Sequence, residues 1–179
     1  MIQSGRRLML HAANVISAFL PQTRAFRLRT RLYSWCGVNV AADCKINGGV
    51  VIQYPNIQIG SGTWIGRRTE FVPTALARII IGSNCDISQD VLFITGSHEM
   101  SDQTRRAGSG YSQTIVVGNG SWIGARATFL VGSGVGTGCM VAAGSLVRDL
   151  FPSNVLIAGV PAKIIRSLDQ LEDTALADG

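Results

Sequence analysis

The chain is poor in the side chains from which metal centres are made. It has two histidines, His11 and His98, and four cysteines, at 36, 44, 85 and 139, none in a CxxC pair. A tetrahedral zinc site needs three or four such ligands at suitable spacing, so none is expected. No apolar run reaches the roughly 18 residues of a membrane-spanning helix. Charged residues are few, at 15%, while 46% are hydrophobic. A disordered chain shows the opposite balance, and this one has ample material for a single core. Sixteen Lys and Arg against eleven Asp and Glu give a net charge of +5, which favours anionic partners in general. The basic residues concentrate near the start, at Arg6, Arg7, Arg24, Arg27, Arg29 and Arg31. They are not interleaved with aromatics and form no recognition-helix motif, so no nucleic-acid partner is expected.

What the chain has instead is a period. From Ile59 to Val147 a large apolar residue returns every sixth position: Ile59, Ile65, Phe71; Ile81, Ile87, Phe93; Val117, Ile123, Phe129; Val135, Val141, Val147. A six-residue repeat matches neither the 3.6 period of a helix nor the alternation of a half-buried strand. It suits a short strand plus a turn, stacked as a solenoid with three hexads per coil. The expected fold is an all-β solenoid, a parallel β-helix with four coils and a rougher first one at Val40, Ile46 and Ile52. The large residue points inward, and the small fifth place (Thr63, Ala75, Cys85, Ser97, Ser121 and Cys139 among others) lies where coils crowd. The glycine that often follows the large residue is expected where the backbone bends with positive φ. Cys44, Cys85 and Cys139 fall in the small slot and read as buried structural thiols.

Two interruptions break the count. Phe71 to Ile81 is a step of ten, a small bulge over Pro73 to Arg78. Phe93 to Val117 is a step of 24, whose polar middle reads as a loop over 98–113 ejected from the solenoid. Three segments follow: a basic helical segment over 1–37, the solenoid over 38–150, and an extension over 151–179. The first helix carries Leu8, Ala12, Val15, Ile16 and Phe19 on one face, which suits packing against the solenoid or a partner subunit, or a membrane surface. Its flanks lack the cleavage site of a signal peptide. A second helix runs from Thr23 to about Tyr33 and ends by Gly37. At the far end a short helix over Ala162 to Glu172, with Ile164, Ile165, Leu168 and Leu171 inward, is expected to cap the solenoid, followed by a frayed tail from Asp173.

His11 reads as a packing residue of the first helix. His98 stands where the repeat gives way to the long loop, at the edge of a rigid scaffold, a setting that suits a general base. The hexads, Thr95-Gly96-Ser97-His98 before Arg105-Arg106-Ala107-Gly108, Trp122-Ile123-Gly124-Ala125, and Ala158-Gly159-Val160-Pro161-Ala162-Lys163-Ile164-Ile165-Arg166 together resemble the hexapeptide-repeat acetyltransferases. The likeness is greatest to the sugar O-acetyltransferase branch and covers about 40 to 168.

The resemblance implies a left-handed β-helix, acetyl-CoA as donor, a saccharide acceptor, and a homotrimer with active sites between subunits. It implies an enzyme of polysaccharide biosynthesis, expected in the cytoplasm; weak peripheral contact at the inner face of the membrane is an expectation from the apolar face of the N-terminal helix, not from the resemblance. His98 and Glu99 are the catalytic candidates. The group orienting His98 stays open among Glu99, Asp102, Asp90 and a backbone carbonyl, because relatives often carry proline or aspartate where this chain has Glu99. Cofactor contacts carry over to Trp122, Ala125, Ala143, Arg148, Lys163 and Arg166. Ala125 offers its N–H to the oxyanion, and Lys163 and Arg166, three apart on a helix, share a face toward the CoA phosphates. Trp122 has a second reading as a corner cap, and Trp64 reads as structural. Glu70, Arg105 and Arg106 are acceptor-site candidates, the arginine pair suiting an acidic glycan. Arg148-Asp149 replaces a common Thr-Lys pair. The rival readings are an acetyltransferase for an antibiotic or another small molecule, and a non-catalytic structural solenoid. A carbonic anhydrase of this architecture fails for want of three histidines.

Overall fold

The computed structural model describes residues 2–169. The hexads form three parallel sheets wound into one solenoid. The first sheet has six strands, from Asn39–Val40 to Leu150–Phe151; the third has five, from Val51–Ile52 to Leu146–Val147. The second runs from Lys45–Ile46 to Val155–Gly159 and gains a seventh strand at its edge, Ala162–Ser167. The coiling therefore continues past residue 150 into a sixth, partial coil.

Stacking is in register, so each hexad position becomes a column. Ile46, Ile65, Ile87 and Ile123 line the second sheet's inner face, and Phe71, Phe93 and Phe129 stack in the third, with centroids 5.2 and 4.9 Å apart. Burying each such side chain is worth about 1.5–3 kcal/mol. The small fifth place does more than avoid crowding. Cys44 Sγ donates to Gly60 O, Thr63 Oγ1 to Gly82 O, Cys85 Sγ to Gly118 O, Ser121 Oγ to Gly136 O and Cys139 Sγ to Pro152 O, each at 2.8–3.2 Å. One donor per coil thus ties a corner to the next coil. Burial pushes the Cys44 and Cys85 thiols up, so they stay protonated as donors. Ala75 and Ser97 leave this slot, the first exposed and the second half-buried, because they fall in the interruptions.

The glycines after the large residues do not have positive φ. They are small because coils touch there: a Cβ on Gly118 would lie 2.4 Å from the Gly136 carbonyl carbon, and one on Gly124 2.5 Å from Ala143 N. Positive φ falls two residues later, at Gly62, Arg68, Asn84, Asp90, Gly120, Arg126 and Gly144.

Helices α1 (Ile2–Phe19) and α2 (Phe26–Trp35) cover the open edge of the first coil. Asn14 bonds both the carbonyl and the N–H of Ile52, Thr30 donates to Cys44 O and Tyr33 to Val50 O, which satisfies groups an open sheet edge would leave unpaired. Arg29, fully buried, needs no carboxylate. Its guanidinium reaches the carbonyls of Ser17, Leu20 and Pro21 at the C-terminal end of α1, where the helix dipole is negative. Burial lowers its pKa. The face of α1 that docks is Leu10, Ala13 and Ser17; of the roles expected for the stripe of Leu8, Ala12, Val15, Ile16 and Phe19, packing against its own solenoid is ruled out, since Leu8 and Phe19 are 71% and 87% exposed.

The far end departs from expectation. Ala162–Ser167 is a strand, antiparallel to Val155–Gly159, where a helix was expected. The open edge of the second sheet supplies ladder bonds that outweigh helix propensity, and Ile164 and Ile165 are half-exposed rather than inward. Leu171, Glu172 and the tail lie outside the described residues.

Candidate functional site

Both interruptions leave at the same corner, between third and first sheets, in adjacent coils. The larger folds as an antiparallel hairpin, Gly96–Met100 with Ala107–Ser112. The smaller buttresses its root: Thr74 N donates to Thr95 Oγ1 at 2.8 Å, Arg78 N to Thr114 Oγ1 at 3.2 Å, and a Cβ on Gly96 would lie 2.9 Å from Thr74 Cγ2. The ten-residue step is therefore a brace for the 24-residue one.

His98 sits on the first hairpin strand, exposed, opposite Gly110. Its Nδ1 is 2.9 Å from the carbonyl oxygen of Gly108. A carbonyl only accepts, so Nδ1 is the donor in this bond, and in the neutral ring Nε2 is the nitrogen with the lone pair. Of the four orienting candidates, the backbone carbonyl holds the ring. Asp90 is engaged with Arg68 at 2.7 and 2.8 Å, and Asp102 closes its own turn through Thr104. Glu99 is exposed beside His98, with no hydrogen bond to it among the described residues. Arg105 and Arg106 are exposed in the hairpin's connecting turn. Glu70 faces outward on the third sheet, one coil before Leu92, in the coil below the one that launches the hairpin.

The cofactor candidates gather elsewhere. Trp122, 52% exposed, stands on the outer face of the second sheet, in line with Met140, Leu156 and Arg166 on successive strands. Three strand steps of ~4.8 Å put Arg166 about 14 Å from Trp122. Ala125 and Ala143 occupy the neighbouring corner one coil apart, joined by Gly144 N donating to Ala125 O at 2.8 Å. The Ala125 N–H has no acceptor among the described residues. Lys163 and Arg166 do share a face, though not as a helix pair. A register shift between Leu156 and Ile157 sets them opposite Ala158 and Leu156, two apart on the facing strand. Arg148 stands apart from this line, beyond the third sheet, with its Nε 3.7 Å from Asp149.

A cavity of about 690 Å³ opens on the same face, lined by Trp64, Arg67, Asp86, Ser88, Trp122 and Ala125 among others, and not by His98. Trp64 and Trp122 flank Asp86 from one coil on either side. Phe26 of α2 packs on Trp64 at 5.5 Å. Trp64, Arg67 and Asp86 were not site candidates from the sequence, although the outward place just before each large residue could have flagged two of them. Among the described residues no cluster of His, Cys, Asp and Glu could hold a metal ion.

No family profile matches the chain. It is 34% identical over 91 residues to the galactoside O-acetyltransferase of Escherichia coli, covering 51% of this chain and 45% of that one, so it spans about half of that relative. It is 30% identical over 158 residues to an Escherichia coli protein named for colanic acid biosynthesis acetyltransferase, WcaF, covering 88% and 84%. Its structure superposes on the hexapeptide-repeat acetyltransferase VCA0836 of Vibrio cholerae with a TM-score of 0.81 at 25% identity, covering 94% and 93% of the two chains. VCA0836 is also known as a complex with acetyl coenzyme A.

Proposed function

The chain belongs to the hexapeptide-repeat acetyltransferases and shares their left-handed β-helix, and from that premise we propose that it is an acetyl-CoA-dependent O-acetyltransferase acting on a sugar hydroxyl of a polysaccharide or its precursor. The observation that carries the reading is the tether of His98. With Nδ1–H held by Gly108 O, Nε2 is free to accept a proton from outside the hairpin. As the acceptor oxygen bonds to the thioester carbonyl carbon, its proton passes to Nε2. The tetrahedral oxyanion takes the free N–H of Ala125, the C–S bond breaks, and the imidazolium returns the proton to the CoA thiolate. Trp122, Ala125 and Ala143 hold the pantetheine arm along the second sheet, and Lys163 and Arg166 meet the phosphates.

The cavity that Trp122 lines does not include His98, and this supports a site completed by a neighbouring copy, as in a homotrimer. Arg148, off the line of the other cofactor candidates, would then serve the neighbour's ligand. Arg105, Arg106 and Glu70 fall to the acceptor side, where the arginines suit an acidic glycan. A cytoplasmic location fits four cysteines that are all free and buried. The names of two relatives, one acting on galactosides and one named for colanic acid biosynthesis, support a saccharide acceptor.

The test is CoA release from acetyl-CoA against neutral saccharides, acidic polysaccharides and acyl-accepting antibiotics, with His98→Ala alongside. Release driven by a saccharide and lost in the variant supports the reading. Release driven only by an antibiotic, or undiminished without His98, overturns it.

A further inference from the structure

Helix α1 is apolar on two sides whose centres lie about 130° apart round the helix. At 100° per residue, Leu10, Ala13 and Ser17 form the docked side. Leu8, Met9, Ala12, Val15, Ile16 and Phe19 lie within an arc of about 120° on the other side. All six are exposed, up to 87% at Phe19. Helix α2 presents Leu28 and Trp35 outward, the latter 72% exposed. A monomeric fold gains nothing from such a stripe, and contiguous exposed apolar surface marks an interaction site.

The charge says what kind of partner it meets. Residues 1–42 contain six arginines and no acidic residue, whereas the rest of the chain holds ten basic and eleven acidic side chains. The whole positive excess therefore sits on the helical cap. Arg29 is spent inside it, but Arg7, Arg24, Arg27 and Arg31 are exposed and without a carboxylate partner among the described residues. Arg7 lies over the Tyr54 ring at 4.6 Å. Two such faces from two copies would repel, which disfavours self-association through this surface. No described helix is long and apolar enough to cross a membrane. Exposed apolar side chains bordered by unpaired arginines on a helix too polar to span are the features of an interfacial helix.

We propose that the outer face of α1, with the arginines of α2, seats the protein on the surface of an anionic lipid bilayer. Because α1 docks on the first coil by its other apolar side and the exposed stripe turns away from that coil, the lipid lies beyond that end of the solenoid. Coil three, which launches the His98 hairpin, then stands two coil steps and one helix diameter from the lipid, about 20 Å. The inference is independent of the acceptor and of catalysis, so its failure would leave the acetyltransferase reading intact.

The experiment is sedimentation of the full chain with vesicles of phosphatidylcholine alone or mixed with phosphatidylglycerol. The protein should partition onto the anionic vesicles at least about tenfold better than onto neutral ones, and release as salt is raised. Ile16→Glu with Phe19→Glu, and separately Arg24→Gln with Arg27→Gln and Arg31→Gln, should each lower partitioning by about tenfold or more. Both variants should keep the wild-type melting curve, because the altered side chains are exposed. Molar mass by light scattering, taken in parallel, should not change. Equal partitioning of wild type and variants, no binding to either vesicle, or an oligomer that falls apart in the Ile16/Phe19 variant without vesicle binding would each overturn the proposal, the last by making the face a contact between copies.

Discussion

The coils and the hairpin they eject solve positioning in different ways. In a coil each outward side chain inherits its place from the strands above and below, so Trp122, Met140, Leu156 and Arg166 form a line whose spacing the sheet sets. On the hairpin, His98 has no coil beneath it, and its ring is set by one acceptor, Gly108 O. A stacked wall suits a long extended ligand met at several points. A braced projection suits a base that must reach beyond its own coil.

Changes in the two regions should therefore separate activity from stability. The largest effect is expected at His98→Ala: about a 10²- to 10⁴-fold loss of kcat with unchanged melting and acetyl-CoA affinity, checked by steady-state kinetics beside calorimetry. Phe93→Ala should do the reverse. It empties the middle of the Phe71–Phe93–Phe129 stack and should cost about 3–5 kcal/mol in denaturant unfolding, while the folded fraction keeps its turnover. Thr63→Val is smaller. The side chain loses its bond to Gly82 O and leaves Cys85 N without its acceptor, so about 1–3 kcal/mol should disappear from the same measurement, whereas Cys85→Ser keeps a donor and should lose less. Lys163→Gln with Arg166→Gln should raise KM for acetyl-CoA by about tenfold, the scale of one or two charge-assisted bonds, and barely alter kcat.

The smallest effect is expected at Asp90→Asn. Hydrogen bonding to Arg68 holds the Asp90 carboxyl below its ordinary range. A depressed carboxylate contributes stability above its unfolded pKa and loses it as pH falls through the folded value. The variant should melt slightly below wild type at neutral pH and indistinguishably from it in acid. A gap that persisted in acid would mean that the side chain acts through something other than its charge.

Much of the solenoid was legible because a column of identical environments writes itself as a period. Every large residue from Ile59 to Val147 in that count is buried. The glycines were misread for their φ because a sequence does not distinguish a residue that bends from one that is merely approached. The C-terminal helix was misread because Ala162 to Ser167 has a helical pattern but an unpaired sheet edge beside it. For α1 the apolar stripe is legible in the sequence, but which of its expected roles it takes is not: the helix has two apolar sides, and only packing shows that the other one meets the solenoid.

By itself, then, the sequence determined the repeat, the small and large columns, the place where a loop must leave, and the lone histidine at its root, since each depends on local period and residue size. Tertiary structure alone decided that the two interruptions share a corner, that a carbonyl rather than an acid orients His98, and that Lys163 and Arg166 share a face through a register shift. These depend on which strands pair and where a distant backbone oxygen comes to rest, and neither is encoded within the reach of a hexad.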